Sequence, residues 1–306
     1  MTEPRWPEFY IVGAPKAGTT SLYEYLAGHP GIYVPDRKEL RYFGADLEVR
    51  RRRTFTAAEF LAHYADAPAD RTWGNAYVWY LFSQTAAREI AEVRPDARIV
   101  VMLRDPVAAL EALHSEFVFD GNEDIDDFAA ALAAEPDRCA GTRIPDEAHF
   151  PAGLCYRRTV RYAEQLARYF DAFGRDQVHV ALLDDFVADA EAAAHRVLAF
   201  LGLRPVDGHR FPHRNPNKRS RSALLRRVLA SPPPALRAAV RAVVPAGARR
   251  AAYRRVTGMN VRTTERPRVS AELRSALRDE LRGEVSALEE LLGRSLADWR
   301  EADAAP

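Results

Sequence analysis

The sequence predicts an α/β fold: a three-layer sandwich around a central parallel sheet, with a helical C-terminal extension. Three observations carry that expectation. Short, continuous runs of β-branched and aromatic residues recur along the first two thirds of the chain. Stretches with apolar residues at helical spacing lie between them. The first β-rich run ends in a glycine turn that opens straight into a helix pattern. Strands that are apolar on both sides suit a parallel sheet covered on both faces, and strands alternating with helices suit layered α/β packing.

Four runs read as strands: Phe9 to Val12, Ile32 to Val34 (closed by Pro35), Arg98 to Leu103 and Gln177 to Leu183. Between them, Thr20 to Ala27 carries Leu22, Tyr25 and Leu26 on one helical face. Helices are also predicted over Ala57 to Tyr64, Gln84 to Val93, Pro106 to Phe117, Leu154 to Phe173 and Ala188 to Leu201. Pro106 is a natural first-turn residue, and Gly202 is a natural stop. After Gly202 the texture changes. Residues 204 to 222 are rich in Arg, Pro, Asn and His and read as a long basic loop. Pro232-Pro233-Pro234 punctuates two short helices, and Ala271 to Leu292 reads as a last amphipathic helix or helix pair before Trp299. The division is thus an α/β core over 8–203, the basic loop over 204–222 and C-terminal helices over 223–299. All belong to a single domain spanning 1–306.

A chain of 306 residues can bury a full core. Its formal net charge of +1 gives no general attraction for nucleic acid, so any affinity for anions must be local. No apolar run is long enough for a transmembrane helix, and Met1 to Pro7 lacks the basic-then-apolar pattern of an export signal. With Cys139 and Cys155 as the only cysteines, two reduced thiols are expected, although a disulfide between them is possible. A cytoplasmic location follows as an expectation. No His, Cys, Asp or Glu cluster has metal-ligand spacing, so no metal is expected. The oligomeric state leaves no mark in the sequence.

The chemistry starts at Gly13-Ala14-Pro15-Lys16-Ala17-Gly18-Thr19-Thr20-Ser21. A strand, a glycine turn and a helix start form an anion site, because free N–H groups and the helix dipole both face the ligand. Thr19, Thr20 and Ser21 add hydroxyls, and Lys16 adds a full charge. An ATP-binding P-loop has its lysine directly after the last glycine. Here Lys16 precedes Gly18 by two positions, so the loop is a relative of that motif.

The string from Pro15 to Leu22 resembles the 5′-phosphosulfate loop of the sulfotransferases that use 3′-phosphoadenosine-5′-phosphosulfate. A second likeness supports the first. Arg98 to Leu103 leads into Arg104-Asp105-Pro106, which resembles the family's Arg-Asn/Asp-Pro signature. Further segments resemble landmarks of its bacterial and Golgi-type branch: Tyr162 to Leu166, Phe173-Gly174-Arg175, Asp184-Asp185-Phe186, Phe200 to Leu203 and Leu291 to Trp299. The likeness runs from about residue 8 to 299. It implies a P-loop NTPase-like fold and an enzyme that moves a sulfuryl group to a hydroxyl, or an amine, of a small molecule or carbohydrate. The product nucleotide would be 3′,5′-adenosine diphosphate.

The resemblance also implies roles. Lys16 through Ser21 would hold the phosphosulfate, with Lys16 stabilising the leaving phosphate. Arg104 would bind the 3′-phosphate. The family's serine eight residues further on is Ala112 here, and Ser115 is the nearest substitute. Asn215 and Arg221 sit where the family often carries Asn and Arg over the nucleotide, whereas Lys218 and Arg219 read equally well as solvated charge. Lys38-Glu39-Leu40-Arg41-Tyr42-Phe43 resembles the segment whose glutamate is the base of the Golgi-type branch. Glu39 is therefore the candidate base, and Lys38 a candidate to neutralise the donor or tune Glu39. An ordinary surface pair is the alternative. His63 and His114 are the other candidates for the base, because histidine serves the cytosolic branch.

Trp73 to Leu81 departs from a common Gly-Glu-x-Ser-Pro-x-Tyr segment: Asn75, Tyr77 and Val78 replace the glutamate, serine and proline. Tyr77, Trp79 and Tyr80 either line an acceptor pocket or belong to a half-buried strand and the core. Two other functions stay open at this point. One is a nucleotide kinase using ATP and magnesium. The other is a nucleotide-binding relative without catalysis.

Overall fold

A computed structural model describes residues 4–36, 38–50, 54–212 and 269–301, together with the backbone of 218–220 and 261–263. Five strands form a parallel sheet: β1 (Phe9–Gly13), β2 (Ile32–Tyr33), β3 (Thr72–Ala76), β4 (Arg98–Leu103) and β5 (Val178–Leu182). Their order is β2-β3-β1-β4-β5. The chain therefore passes from β1 to the edge strand β2, returns to place β3 between them, then crosses over to β4 on the other side of β1. The crevice beyond the carboxyl ends of β1 and β4 is the switch point where open α/β sheets bind ligands.

The central strands are apolar on both faces. Every residue of β1 is buried, and β4 is buried from Ile99 to Leu103. β3 is the strand that β-propensity does not announce, since Gly74 and Asn75 are poor strand formers. Packing explains the glycine. Gly74 pairs with Phe9 across the ladder, and a Cβ there would lie 2.0 Å from the Phe9 ring.

The first helices are α1 (Thr19–Ala27), α2 (Ala57–Leu61), α3 (Ala86–Val93), α4 (Pro106–Asp120) and α5 (Phe128–Cys139). Then come α6 (Tyr156–Thr159), α7 (Tyr162–Phe173), α8 (Leu183–Ala188), α9 (Ala190–Phe200) and α10 (Ala271–Leu292). Asp105 caps α4 by accepting from Ala108 N at 2.6 Å, with Pro106 in the first turn. The helix predicted over Leu154 to Phe173 is broken. α6 ends at Thr159, and Gln165 Nε2 in α7 donates to the freed carbonyls of Arg158 (3.0 Å) and Thr159 (3.3 Å). The helix predicted over Ala188 to Leu201 starts late, because Asp189 caps it by accepting from Ala192 N.

α10 is one continuous helix. Leu277, Leu281, Val285 and Leu288 recur at spacings of four and three and are buried on the side that packs on α7. Removing each such side chain from water contributes of order 2 kcal/mol. Residues 218–220 and 261–263 pair antiparallel as β6 (Lys218–Ser220) and β7 (Val261–Thr263), so a strand closes the region expected to be only a loop. Asn215, Arg221 and the two short helices around Pro232 lie outside the described residues.

Cys139 and Cys155 correct the expectation of reduced thiols. They are joined in a disulfide, with Cα atoms 5.4 Å apart, because α5 folds back until its last residue meets the start of α6. The reduced-thiol reason for a cytoplasmic location goes with that expectation. No described helix is long and apolar enough to cross a membrane.

Candidate active site

β1 delivers the chain to the anion loop, and the loop is held tightly. Ala14 N donates to Met102 O of β4 at 2.5 Å, and Ala17 N donates back to Ala14 O at 3.3 Å. Gly18 adopts a left-handed conformation (φ 90°) at the start of α1, and a Cβ there would press on Leu183 at 3.0 Å. Ala17 is fully buried, whereas Lys16, Thr20 and Ser21 reach solvent. The hydroxyls of Thr19 and Thr20 and the N-terminus of α1 therefore meet at one place.

The described residues contain three non-glycine positions with left-handed φ: Lys16 (65°), Glu39 (66°) and Arg143 (50°). That conformation costs about 1–2 kcal/mol and persists where surrounding contacts impose it, often at functional sites. Two of the three are the residues singled out for chemistry from the sequence. At Lys16 the imposing contact is Arg104, whose NH1 donates to the Lys16 carbonyl at 3.3 Å. At Glu39 the backbone N–H donates to Ala76 O at 3.2 Å, at the carboxyl end of β3.

Side chains from two segments and a backbone N–H from a third converge. Lys38 Nζ lies 3.1 Å from Glu39 Oε1, 3.1 Å from Thr20 Oγ1 and 3.4 Å from Thr19 Oγ1. Glu39 Oε2 accepts from Val78 N at 3.2 Å. Lys38 and Glu39 therefore bridge the anion loop and the turn after β3, and the ion pair is built into the crevice. Tyr23, beneath this segment, has its hydroxyl pushed well above the ordinary tyrosine range, by burial first and then by Asp36 and Glu39. It stays protonated and donates to Pro35 O.

The aromatic segment divides. β3 stops at Ala76 and the chain turns over the end of β1, with Tyr77 N donating to Ile11 O (3.1 Å) and Leu81 N to Val12 O (2.8 Å). Tyr77 and Tyr80 are buried, at 5% and 0% exposure, while Trp79 is only partly covered. For Tyr80 this corrects the acceptor-lining expectation. Its hydroxyl accepts from Tyr42 N (3.0 Å) and Phe43 N (3.3 Å) and donates to Leu40 O (3.3 Å), so it holds the segment that carries Glu39. Tyr77 packs on it with ring centres 4.9 Å apart. Trp79 lies against Phe150 (4.4 Å) and stacks on Phe117 (6.1 Å), keeping an edge toward solvent.

The remaining candidates are committed elsewhere. Ser115 Oγ donates to Glu111 O at 2.9 Å, one turn back in α4. Ser115 also lines a cavity of about 310 Å³ with His114, Phe128 and Ser270. His114 is buried, donates from Nε2 to Ile125 O at 2.9 Å, and has its pKa lowered chiefly by that burial. His63 packs edge-on against Phe55 in the turn after α2, and its carbonyl accepts from Tyr33. Neither histidine joins the Lys38–Glu39 cluster. Among the described residues no group of three or more His, Cys, Asp or Glu could hold a metal ion.

One contact was not foreseen. Glu116 Oε2 on α4 lies 2.5 Å from Lys16 Nζ. Glu116 is four residues beyond Ala112, on the same helical face, and that spacing was the available signal.

No protein-family model matches the chain. Human carbohydrate sulfotransferase 15 is 25% identical over 255 residues, covering 65% of this chain and 44% of the human protein. A membrane-associated sulfotransferase of Dictyostelium discoideum is 29% identical over 105 residues, 33% of this chain and 21% of that one. The chain thus spans less than half the length of these curated relatives. The crystal structure of a sulfotransferase from Alicyclobacillus acidocaldarius superposes with a TM-score of 0.71 at 27% identity, over 97% of this chain and all of the other. A five-stranded parallel sheet with the loop and arginine at its switch point, together with these likenesses, leads to one conclusion: the chain belongs to the sulfotransferase superfamily.

Proposed function

We propose that this protein transfers a sulfuryl group from 3′-phosphoadenosine-5′-phosphosulfate to a hydroxyl, or an amine, of a small molecule or carbohydrate, releasing 3′,5′-adenosine diphosphate. The observation that carries the proposal is the convergence of Lys38, Glu39 and the Thr19 and Thr20 hydroxyls beside the loop that carries Lys16, at the carboxyl ends of the central strands. That set fits an anionic leaving group beside an acceptor in need of a base. The name of the human relative supports a carbohydrate among the possible acceptors.

In this mechanism Glu39 accepts the acceptor's proton as the acceptor oxygen or nitrogen bonds to sulfur. The bond from sulfur to the bridging phosphate oxygen breaks in line, and the nucleotide leaves with that electron pair. Lys16 stabilises the charge on the departing oxygen, and Lys38 supplies a second cation at the same place. Ala17 to Ser21 hold the 5′-phosphosulfate through backbone N–H groups and hydroxyls. Arg104, Asn215 and Arg221 serve the nucleotide side in this reading, and Ser115, whose hydroxyl is donated to Glu111 O, does not replace the missing serine as a donor. Trp79 offers the acceptor a partly exposed aromatic edge.

Thermal shifts separate this proposal from its rivals. 3′,5′-adenosine diphosphate should raise the unfolding temperature, and ATP with magnesium should raise it little or not at all. Stabilisation by ATP and magnesium alone would favour a kinase instead. Incubation with labelled donor and a metabolite extract should then label an acceptor. Glu39→Gln should lower that rate about 100-fold or more while leaving nucleotide binding nearly intact. An unchanged rate would exclude Glu39 as the base.

A further inference from the structure

We infer that Glu116 is a specificity residue of the donor site. Its carboxylate sets the charge that the distal group of the nucleotide can carry, favouring a singly charged sulfuryl over a doubly charged phosphoryl. The inference rests on the proposed function and concerns that same loop.

Four observations carry it. Glu116 Oε2 lies 2.5 Å from Lys16 Nζ, so the lysine offered to the ligand is already paired. The Lys16 backbone is held in a left-handed conformation and its carbonyl takes a hydrogen bond from Arg104, which limits how far the ammonium can swing away. Ala112, one turn before Glu116 on the same face, carries no polar group, and the Ser115 hydroxyl is donated to Glu111 O. No hydroxyl at these two positions therefore stands in for the carboxylate. The pair is also partly open to water, with side-chain exposures of 32% for Lys16 and 45% for Glu116. A ligand can reach the lysine, but it does so next to a fixed negative charge.

The consequence is electrostatic. A sulfuryl group carries one negative charge, whereas a terminal phosphoryl near neutral pH carries close to two. Both have similar shape, so the loop's hydrogen bonds separate them poorly. The Glu116 carboxylate separates them by repulsion, which grows with the ligand's charge. Partial exposure keeps the effect moderate, because water and salt screen it.

Adenosine 5′-phosphosulfate and adenosine 5′-diphosphate are the matched probes, differing at the distal group by sulfur for phosphorus and one charge. Each is titrated as a competitor of labelled 3′,5′-adenosine diphosphate at low salt. The wild-type protein should prefer the phosphosulfate. Glu116→Gln should tighten the diphosphate more than the phosphosulfate, shrinking the preference by about three- to tenfold. Added salt should shrink it in the wild type too. Glu290→Gln, which removes an exposed carboxylate on α10, should leave the preference unchanged. If Glu116→Gln binds both probes with the wild-type ratio, or if Glu290→Gln shifts the ratio equally, the inference is overturned while the proposed function stands. If the wild type fails to bind labelled 3′,5′-adenosine diphosphate at all, the proposed function falls and the inference falls with it.

Discussion

Two regions of this molecule gather charged side chains, and they use them in opposite ways. Around the anion loop, Lys16, Lys38, Glu39 and Glu116 are partly exposed, joined in two ion pairs and mounted in part on left-handed backbone. Beneath α5, Glu123 and Arg138 are sealed from solvent, with side-chain exposures of 0% and 1%. There the carboxylate takes hydrogen bonds from both Arg138 terminal nitrogens, from Ile125 N (2.7 Å) and from Tyr156 Oη (2.9 Å). The disulfide between Cys139 and Cys155 staples the residues next to Arg138 and Tyr156. Burial alone would raise the Glu123 pKa, but the Arg138 and Ile125 hydrogen bonds outweigh it and hold the carboxyl below its usual range. The lesson is that burial separates the two regions. A charge sealed from water persists because an opposite charge and several hydrogen bonds surround it, while the charges at the loop keep part of their surface open to solvent.

That contrast can be broken most directly at Arg138. Arg138→Met removes one partner of the sealed pair and leaves Glu123 buried without its cation, so unfolding free energy should fall by about 3–5 kcal/mol. Urea unfolding measures it. A loss below 1 kcal/mol would mean that water reaches the pair. Nucleotide binding by the protein that remains folded should be little changed.

Lys16→Ala should give the opposite pattern. Sulfation of an identified acceptor should fall by about 100- to 1000-fold, as when a positioned electrophilic group is deleted, while the urea midpoint barely moves. The ion pair it breaks is half-exposed and contributes little to stability. A large loss of stability with intact turnover would reverse the roles assigned to the two regions.

The smallest expected effect belongs to His114, which lies between the two regions. Burial lowers its folded pKa below the ordinary value of about 6.5. On acidification the unfolded chain takes up a proton that the folded chain refuses. Stability is therefore full above about pH 6.5 and is lost as pH falls through the folded pKa. His114→Gln retains a donor for Ile125 O and should reduce the drop in stability between pH 8 and pH 5.5. The pH dependence of turnover should stay that of the wild type. A changed rate profile with an unchanged stability profile would return His114 to the list of candidate bases.

The anion loop and the strand leading into Arg104 were readable from the sequence because their parts are contiguous. Strand, turn and helix are consecutive in Phe9 to Ala27, and the second strand runs straight into Arg104. The aromatic segment after β3 was less readable because burial decides the place of each ring. Tyr77, Trp79 and Tyr80 are equally aromatic on the page, but only the turn over the end of β1 makes Tyr80 a buried brace and Trp79 an exposed edge. β3 escaped for a related reason: its glycine serves the Phe9 ring on the neighbouring strand, a contact 65 residues away in register. The breaks after Thr159 and at Asp189 escaped because side chains cap them there.

What the chain's own residues settle is local: the apolar runs, the glycine turn, the helix starts at Thr19 and Pro106, and the presence of a lysine in an anion loop. These follow from backbone sterics, hydrogen-bonding capacity and the period of apolar side chains, all of which act between near neighbours. What the tertiary structure alone decides is which distant groups meet. The sheet order brings β1 beside β4, the turn after β3 brings Val78 to Glu39, and α4 brings Glu116 to Lys16. Such meetings depend on how whole layers pack, so a pair of charges a hundred residues apart becomes one site only after folding.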